Sequence, residues 1–492
     1  MDILSIFLKS IYVLNFICIL ALLFIKRKNP NETITWLLIL SFLPVIGLFL
    51  YMVFGKGINL YSRRKYSIKE QRDRAYSALI QEQSHMDETH INLFKNHTPP
   101  FNDQAAEHHR QMIELFYHTG HSIYTQDNDV SIFTDAGKLY ETLIHDIREA
   151  KESINMLYFI IKNDEIGNKI VDLLTQKADA GVEVRLIYDS LGSFFTPGRM
   201  FKRLKEAGGK VCRFFPVSLG FYLKINHRNH RKIVTIDGEI AYMGGMNIGM
   251  EYMGLSKITP WRDTHLRITG SAVLMLQEQF LLDWNFVSKT TDNLDDVHFV
   301  RKYFPPIKSP GKLGIQIVSS DPGIAAEQIK SGLIKMVYSA QESLWIQTPY
   351  FVPDEPFLEA LKTASASGVD VRIMIPGLPD KKYVWNVTMS YVRDLLNAGI
   401  KVYMYSGFMH AKMVVMDDQI ATIGSTNIDI RSFALHFEVN AFIYDTEFAL
   451  KCKKIFIDDE MDSTQITSEW YESRGILTLL KENFSRIFSP LM

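Results

Sequence analysis

The sequence predicts an α/β fold of two tandem, similar halves packed face to face around one shared site, preceded by an N-terminal transmembrane hairpin. Three observations carry that expectation. Two long apolar runs open the chain, apolar strand-like runs alternate with helical stretches behind them, and one motif occurs twice at a constant offset of 180 residues within surroundings that repeat more loosely.

Ile34 to Phe54 is a run of 21 residues without a charge, long enough to cross the hydrocarbon core as a helix. Ile3 to Ile25 is almost as apolar, interrupted by Lys9 and Asn15, and ends at Lys26-Arg27-Lys28. No basic segment precedes it and no small-x-small site follows it, which argues against a cleaved signal peptide. Residues 1–56 are therefore read as two transmembrane helices joined by the short loop Lys26 to Thr33, with the rest of the chain on one side. Seven cations follow the second span (Lys56, Arg63, Arg64, Lys65, Lys69, Arg72 and Arg74) against three in the loop. That excess places a multi-pass protein in the cell membrane with its large domain in the cytoplasm. The same cations suit anionic lipid headgroups equally well. Residues 57–110, polar and poor in strand pattern, are read as a connector.

The first half is assigned to residues 111–300 and the second to 301–492. In the first, His230-Arg-Lys232-Ile-Val-Thr-Ile-Asp237 is followed by Gly244-Gly245-Met-Asn247; in the second, His410-Ala-Lys412-Met-Val-Val-Met-Asp417 is followed by Gly424-Ser425-Thr-Asn427. The surroundings repeat more loosely. Gly181-Val-Glu-Val-Arg-Leu-Ile-Tyr follows a helical stretch from Gly167 to Ala180, and Gly368-Val-Asp-Val-Arg-Ile-Met-Ile follows one from Glu355 to Ser367. Apolar runs, Ile154 to Ile161 and Leu344 to Tyr350, stand ahead of each helix. This order implies sheets covered by helices. Near the carboxyl end, Ile476, Leu477, Leu480, Phe484, Ile487 and Phe488 recur at helical spacing, an amphipathic helix that either closes the second half or touches lipid.

In a strand, positions i and i+2 face the same way, so His230 projects with Lys232 and His410 with Lys412. The motif aspartates Asp237 and Asp417 precede Gly238 and Asp418 at turn positions; they count with the motif's catalytic set, although a structural role at a strand end fits them better. Asp263 lies 33 residues after His230 and Glu438 lies 28 after His410, each opening a strand-like stretch, and these are the carboxylates expected to orient the histidines. His265 and His436 lie within two residues of them and are given no role of their own.

Four such polar groups in one cleft suit a phosphodiester. Two lysines and two asparagines, Asn247 and Asn427, bind its non-bridging oxygens and the charge that develops on them, so neither a metal nor another cofactor is called for. One imidazole attacks phosphorus while the other protonates the departing alkoxide and later takes a proton from the entering hydroxyl. Fourteen histidines invite a metal reading, yet no HExxH or cysteine-rich site accompanies them. The three cysteines, Cys18, Cys212 and Cys452, are far apart and fit a reducing compartment. A formal net charge of −1 gives no global field for a nucleic acid. Phe214, Phe215, Phe221, Tyr222 and Phe351 are candidate walls of an apolar cleft.

These paired signatures resemble the duplicated HxKxxxxD motifs of the phospholipase D superfamily, each with its G-[GS]-x-N. Arg228-Asn-His230-Arg-Lys232, Gly244-Gly-Met-Asn-Ile-Gly and Asn427-Ile-Asp-Ile-Arg431-Ser-Phe are similar to bacterial cardiolipin synthases in particular, as are the N-terminal hairpin and the closing Ser489-Pro-Leu. The resemblance implies two phospholipase D-like domains. It also implies phosphatidyl transfer between two phosphatidylglycerol molecules to give cardiolipin and glycerol, with His230 as nucleophile and His410 as general acid and base. The partners implied are phosphatidylglycerol, cardiolipin and the bilayer, not nucleic acid; oligomeric state is left open. A hydrolytic phospholipase D shares every one of these residues, and a membrane-anchored nuclease or an inactive scaffold are more distant alternatives. The intact histidine–lysine pairs speak against the scaffold.

Overall fold

The structure, a computed structural model, describes residues 3–24, 30–54, 101–216, 227–255, 258–288, 302–307, 311–322 and 327–489. Residues 57–100, most of the expected connector, lie outside the described residues, as do Phe221 and Tyr222.

Each half begins with the same strand, helix, strand unit. In the first, β1 (Tyr124–Phe133) is followed by β2 (Ser153–Tyr158), a helix from Glu165 to Asp179, β3 (Glu183–Asp189) and β4 (Lys210–Phe214). The helix starts at Asp164, whose carboxylate accepts the Gly167 N–H, and it buries Ile166, Ile170, Val171 and Leu174 along one face. It ends before Gly181, whose φ of +90° suits a residue without Cβ. The motif hairpin β5 (Ile233–Ile236) and β6 (Ile240–Gly244) comes next, then β7 (Trp261–Arg262) and β8 (His265–Thr269). The second half repeats this with β9 (Leu313–Ser320), β10 (Ser343–Gln347), β11 (Phe351–Val352), β12 (Asp370–Pro376), β13 (Lys401–Tyr405), β14 (Phe408–Met409), β15 (Met413–Met416), β16 (Ile420–Gly424), β17 (Ile428–Asp429), β18 (Glu438–Tyr444) and β19 (Ser463–Ile466). Its helix from Glu355 to Ala366 is capped by Asp354 in the same way and ends before Gly368 at φ +97°.

The halves do more than face each other: their sheets are continuous. Fifteen strands run in the order β19-β13-β12-β10-β15-β16-β18-β9-β1-β8-β6-β5-β2-β3-β4, joined at the antiparallel β9–β1 pair. One hydrophobic core also spans the junction, combining Met243, Leu266 and Ile268 with Met413, Ile423, Val439 and Ala441. Residues near the start of the assigned first half pack elsewhere. The helix Arg110–Gly120 buries Met112, Ile113 and Phe116 in the core of the second half, with Phe116 4.4 Å from Phe442, because the outer side of β9 and β18 is the apolar surface within its reach.

The motif aspartates sit at matched turns, both at positive φ, 54° and 51°. Asp237 accepts the N–H groups of Lys151, Glu152 and Ser153 at 2.8 Å, and Asp417 those of Gln341, Glu342 and Ser343 at 2.7 to 2.9 Å. Each carboxylate thus fixes the start of the neighbouring strand, β2 or β10, and neither lines the cavity onto which the motif histidines open. Their inclusion in the catalytic set is corrected accordingly: what they hold is the backbone at the far end of the motif hairpin.

At the N-terminus, α1 (Ile3–Phe24) packs against α2 (Pro30–Phe42) and α3 (Pro44–Phe54) around Leu22, Trp36, Leu40 and Leu48, and the Asn15 amide donates to the Leu40 carbonyl at 2.9 Å. The second apolar run is split because Pro44 has no N–H to donate to the preceding turn. Among the described residues no helix is long and apolar enough to cross a membrane. The C-terminal helix Ile476–Arg486 packs on the helix Lys382–Asn397, with Arg486 paired to Asp394 at 2.6 Å. The apolar residues that marked it in the sequence point outward: Ile476, Leu477, Leu480, Phe484 and Ile487 are all exposed.

Candidate active site

The extended segment ahead of β5 carries His230 and Lys232, and the equivalent segment ahead of β15 carries His410 and Lys412. Each is stitched to the opposite half. His230 N–H donates to the Phe437 carbonyl at 2.9 Å, and Phe437 N–H returns a bond to Arg228. His410 N–H donates to the Arg262 carbonyl at 2.6 Å, beside the parallel β7–β14 pair. The residues next in line after Phe437 and Arg262 are Glu438 and Asp263. Each carboxylate therefore meets the histidine of the other half. His230 Nδ1 stands 3.1 Å from both Glu438 carboxylate oxygens, and His410 Nδ1 stands 2.5 Å from Asp263 Oδ2. A carboxylate only accepts, so Nδ1 carries the proton in both rings and Nε2 is the nitrogen left for a substrate.

The two carboxylates are steadied differently. Glu438 also accepts from the Ser425 hydroxyl at 2.5 Å, whereas Gly245, at the matched position, lies so close to Asp263 that a Cβ there would stand 2.1 Å from Oδ1. The exchange of Gly245 for Ser425 between the two G-[GS]-x-N motifs thus reflects the room beside each acid.

Both histidines open onto one cavity of about 650 Å³, with Asn247, Asn427, Phe159, Tyr252, Trp261, Tyr350 and Phe408 among its walls. The expected aromatic walls are elsewhere: Phe214, Phe215 and Phe351 are buried in the cores of the two halves, where apolar strand ends close the sheet layers. Asn247 donates to the Tyr252 hydroxyl at 2.7 Å, and Asn427 leaves its Oδ1 buried without a hydrogen-bond partner. Lys232 and Lys412 are buried, each ammonium donating to the carbonyl of its own motif histidine.

Burial dominates the electrostatics. It holds His410 down to about 4 with help from the Lys412 charge, against the pull of Asp263, and it holds His230 well below the ordinary value together with Lys232 and Lys412. Both rings are neutral near pH 7. Burial and the neighbouring Lys412 bring Lys232 down to about 7, and burial brings Lys412 to about 8. A lysine whose value is depressed loses its proton as pH rises through the lower value, so the cleft is expected to lose phosphate-binding charge above about pH 7. The ratio kcat/KM for an anionic phosphodiester should fall along that limb, and Lys232→Arg should move the limb up by about one pH unit or more. An unmoved limb in pH–rate profiles of the two proteins would assign it to another group.

Several site residues carried no sequence signal. Arg231, between the two motif residues, is fully buried and pairs with Asp283 at 2.8 Å and Asp321 at 2.5 Å, tying the motif to both halves. His436 lines the cavity with its ring 5.7 Å from that of His230, whereas His265 is buried away from the cavity walls. Only the three-dimensional pairing separates these two histidines. Among the described residues, His230, His436 and Glu438 bring ligand atoms within 4.8 Å of one another, the one group with the makings of a cation site.

Residues 143–258 and 333–460 match the family described as "Cardiolipin synthase, PLD-like domain", and residues 13–56 match "Phospholipase D-nuclease N-terminal". Over its whole length the chain is 42% identical to the major cardiolipin synthase of Bacillus subtilis and 41% identical to the cardiolipin synthase of Oceanobacillus iheyensis, in each case covering 100% of both chains. The crystal structure of phosphatidylserine synthase from Haemophilus influenzae superposes with a TM-score of 0.59 at 14% identity, covering 79% of this chain and 100% of that one, which shows a shared fold.

Proposed function

The chain belongs to the bacterial cardiolipin synthases with phospholipase D-like domains and is a phosphatidyltransferase, and from that premise we propose that it joins two phosphatidylglycerol molecules into cardiolipin and glycerol through a phosphohistidine. The observation that carries the reading is the pair of crossed histidine–carboxylate contacts opening on one cavity.

His230 Nε2 attacks the phosphorus of the donor, and the bond from phosphorus to the glycerol oxygen breaks. The His410 ring, protonated once the phosphate anion sits beside it, gives its proton to that oxygen, and glycerol leaves. The glycerol hydroxyl of a second lipid enters, His410 takes its proton, and the new oxygen–phosphorus bond displaces His230. Lys232, Lys412, Asn247 and Asn427 hold the non-bridging oxygens throughout. Glu438 keeps His230 in the nucleophilic tautomer, and Asp263 stabilises the His410 imidazolium. Aromatic walls keep water scarce beside the phosphohistidine, which favours a lipid acceptor over hydrolysis.

The enzyme is membrane-associated, and α1 to α3 are proposed to enter the bilayer as a hairpin with the large domain on the cytoplasmic side. Supporting this, Val13, Phe16, Ile34, Leu38 and Phe42 are exposed on helices that pack on one another. The outward apolar face of the C-terminal helix fits the same surface.

Incubation of the detergent-purified protein with phosphatidylglycerol and excess chelator tests the reaction, with lipid products read by mass spectrometry. Cardiolipin and glycerol in equal amounts are expected. Phosphatidic acid alone would make the protein a hydrolase, and loss of activity on chelation would mean that the His230, His436 and Glu438 group works with a metal.

A further inference from the structure

The offset that superposes the two motifs also matches Glu251 with Arg431. Both line the cavity, so a cleft built otherwise from paired residues carries opposite charges at corresponding places. Glu251 lies in the short helical turn Met250–Met253, next to Tyr252, whose ring is 6.2 Å from His410. Arg431 lies in the turn Ile430–Ala434, and its carbonyl accepts the N–H of His436, the residue whose ring faces His230. Along the chain, Glu251 thus adjoins the residue that meets His410, and Arg431 holds by its backbone the residue that meets His230.

Lys162 pairs with Glu251 through one carboxylate oxygen, Oε2, and the carboxylate is about four-fifths buried. A carboxylate at a cavity wall repels phosphate and accepts hydrogen bonds from hydroxyl groups. Within the transfer reaction the polyol is the group that leaves and the group that enters, and both events occur at the histidine that moves the proton. We propose that Glu251, held by Lys162, recognises the glycerol headgroup at the His410 end, first on the donor lipid and then on the acceptor, and so selects a glycerol-bearing acceptor over monohydric alcohols and water. This deepens the phosphatidyl-transfer reading and rests on it. It also accounts for the direction of the reaction in a nearly symmetric site: the end with a hydroxyl-binding carboxylate is the leaving-group end, which leaves His230 to attack.

The test is a competition that does not depend on total activity. The purified full chain is given phosphatidylglycerol as donor with isotopically labelled glycerol and 1-propanol at equal concentration, and the ratio of labelled phosphatidylglycerol to phosphatidylpropanol is measured. The unsubstituted chain is expected to favour glycerol. Glu251→Gln should lower the ratio roughly tenfold, as for loss of a hydrogen bond to a charged acceptor. Glu251→Asp should restore part of it, and Arg431→Gln should leave the ratio at its original value even where overall turnover changes. An unchanged ratio in Glu251→Gln, or an equal shift in Arg431→Gln, would overturn the proposal. Absence of both cardiolipin and alcohol products from the unsubstituted chain would overturn the transfer reading itself, whereas cardiolipin formed without labelled phosphatidylglycerol would overturn this inference alone.

Discussion

His230→Ala is expected to lose phosphatidyl transfer by about 10⁴-fold or more, since it removes the atom that bonds to phosphorus. His410→Ala should lose as much with phosphatidylglycerol, whose glycerol alkoxide is a poor leaving group. The two variants part company with a phosphatidyl ester of nitrophenol, a leaving group that departs without a proton. His410→Ala should then still release nitrophenol in a burst and keep the phosphatidyl group on His230, because the second step lacks its base. Mass spectrometry of the intact protein reads the added mass, and peptide mapping places it. Mass retained on His410 in the reciprocal variant would reverse the assigned roles.

Glu438→Gln and Asp263→Asn are expected to cost on the order of 10³-fold each with phosphatidylglycerol, by losing the acceptor that fixes the tautomer and steadies the charged ring. The crossed contacts make their effects separable. Glu438 serves His230 from the other half, so Glu438→Gln should slow the nitrophenol burst. Asp263 serves His410, so Asp263→Asn should spare the burst and slow release of the phosphatidyl group from His230. Pairing within each half would produce the opposite pattern, which makes burst kinetics of the two variants a direct test of the crossing.

Much of this was legible from the residues alone because it is local or periodic. Asp164 and Asp354 cap helices that Gly181 and Gly368 end, and the apolar runs around Ile154 and Leu344 became β2 and β10. The positions of Asp237 and Asp417 at turns were visible from sequence, whereas their backbone partners at the starts of β2 and β10 lie 74 to 86 residues earlier and were not. The amphipathic spacing at the C-terminus marked a helix and left open whether its apolar face closes the second half or points outward. Leu479 packs inward while Leu477 and Leu480 face out, since the packed surface is fixed by Arg486 and Asp394. The aromatic walls of the cleft were misassigned for a related reason. Phe214 and Phe351 look like any strand residue, and only the closure of the sheets decides whether such a ring faces the core or the cavity.

By itself, then, the sequence determined the α/β class, the duplication, the motif residues and the chemistry they are suited to, because each of these depends on residue type and short-range spacing. Tertiary structure alone decided which carboxylate serves which histidine, that Arg231 ties both halves together, that His436 and not His265 reaches the cavity, and that Glu251 and Arg431, opposite in charge, both line it. The histidine–carboxylate contacts join residues 147 and 208 positions apart, beside backbone bonds between halves, and no local pattern along a duplicated chain distinguishes a partner in the same copy from one in the other.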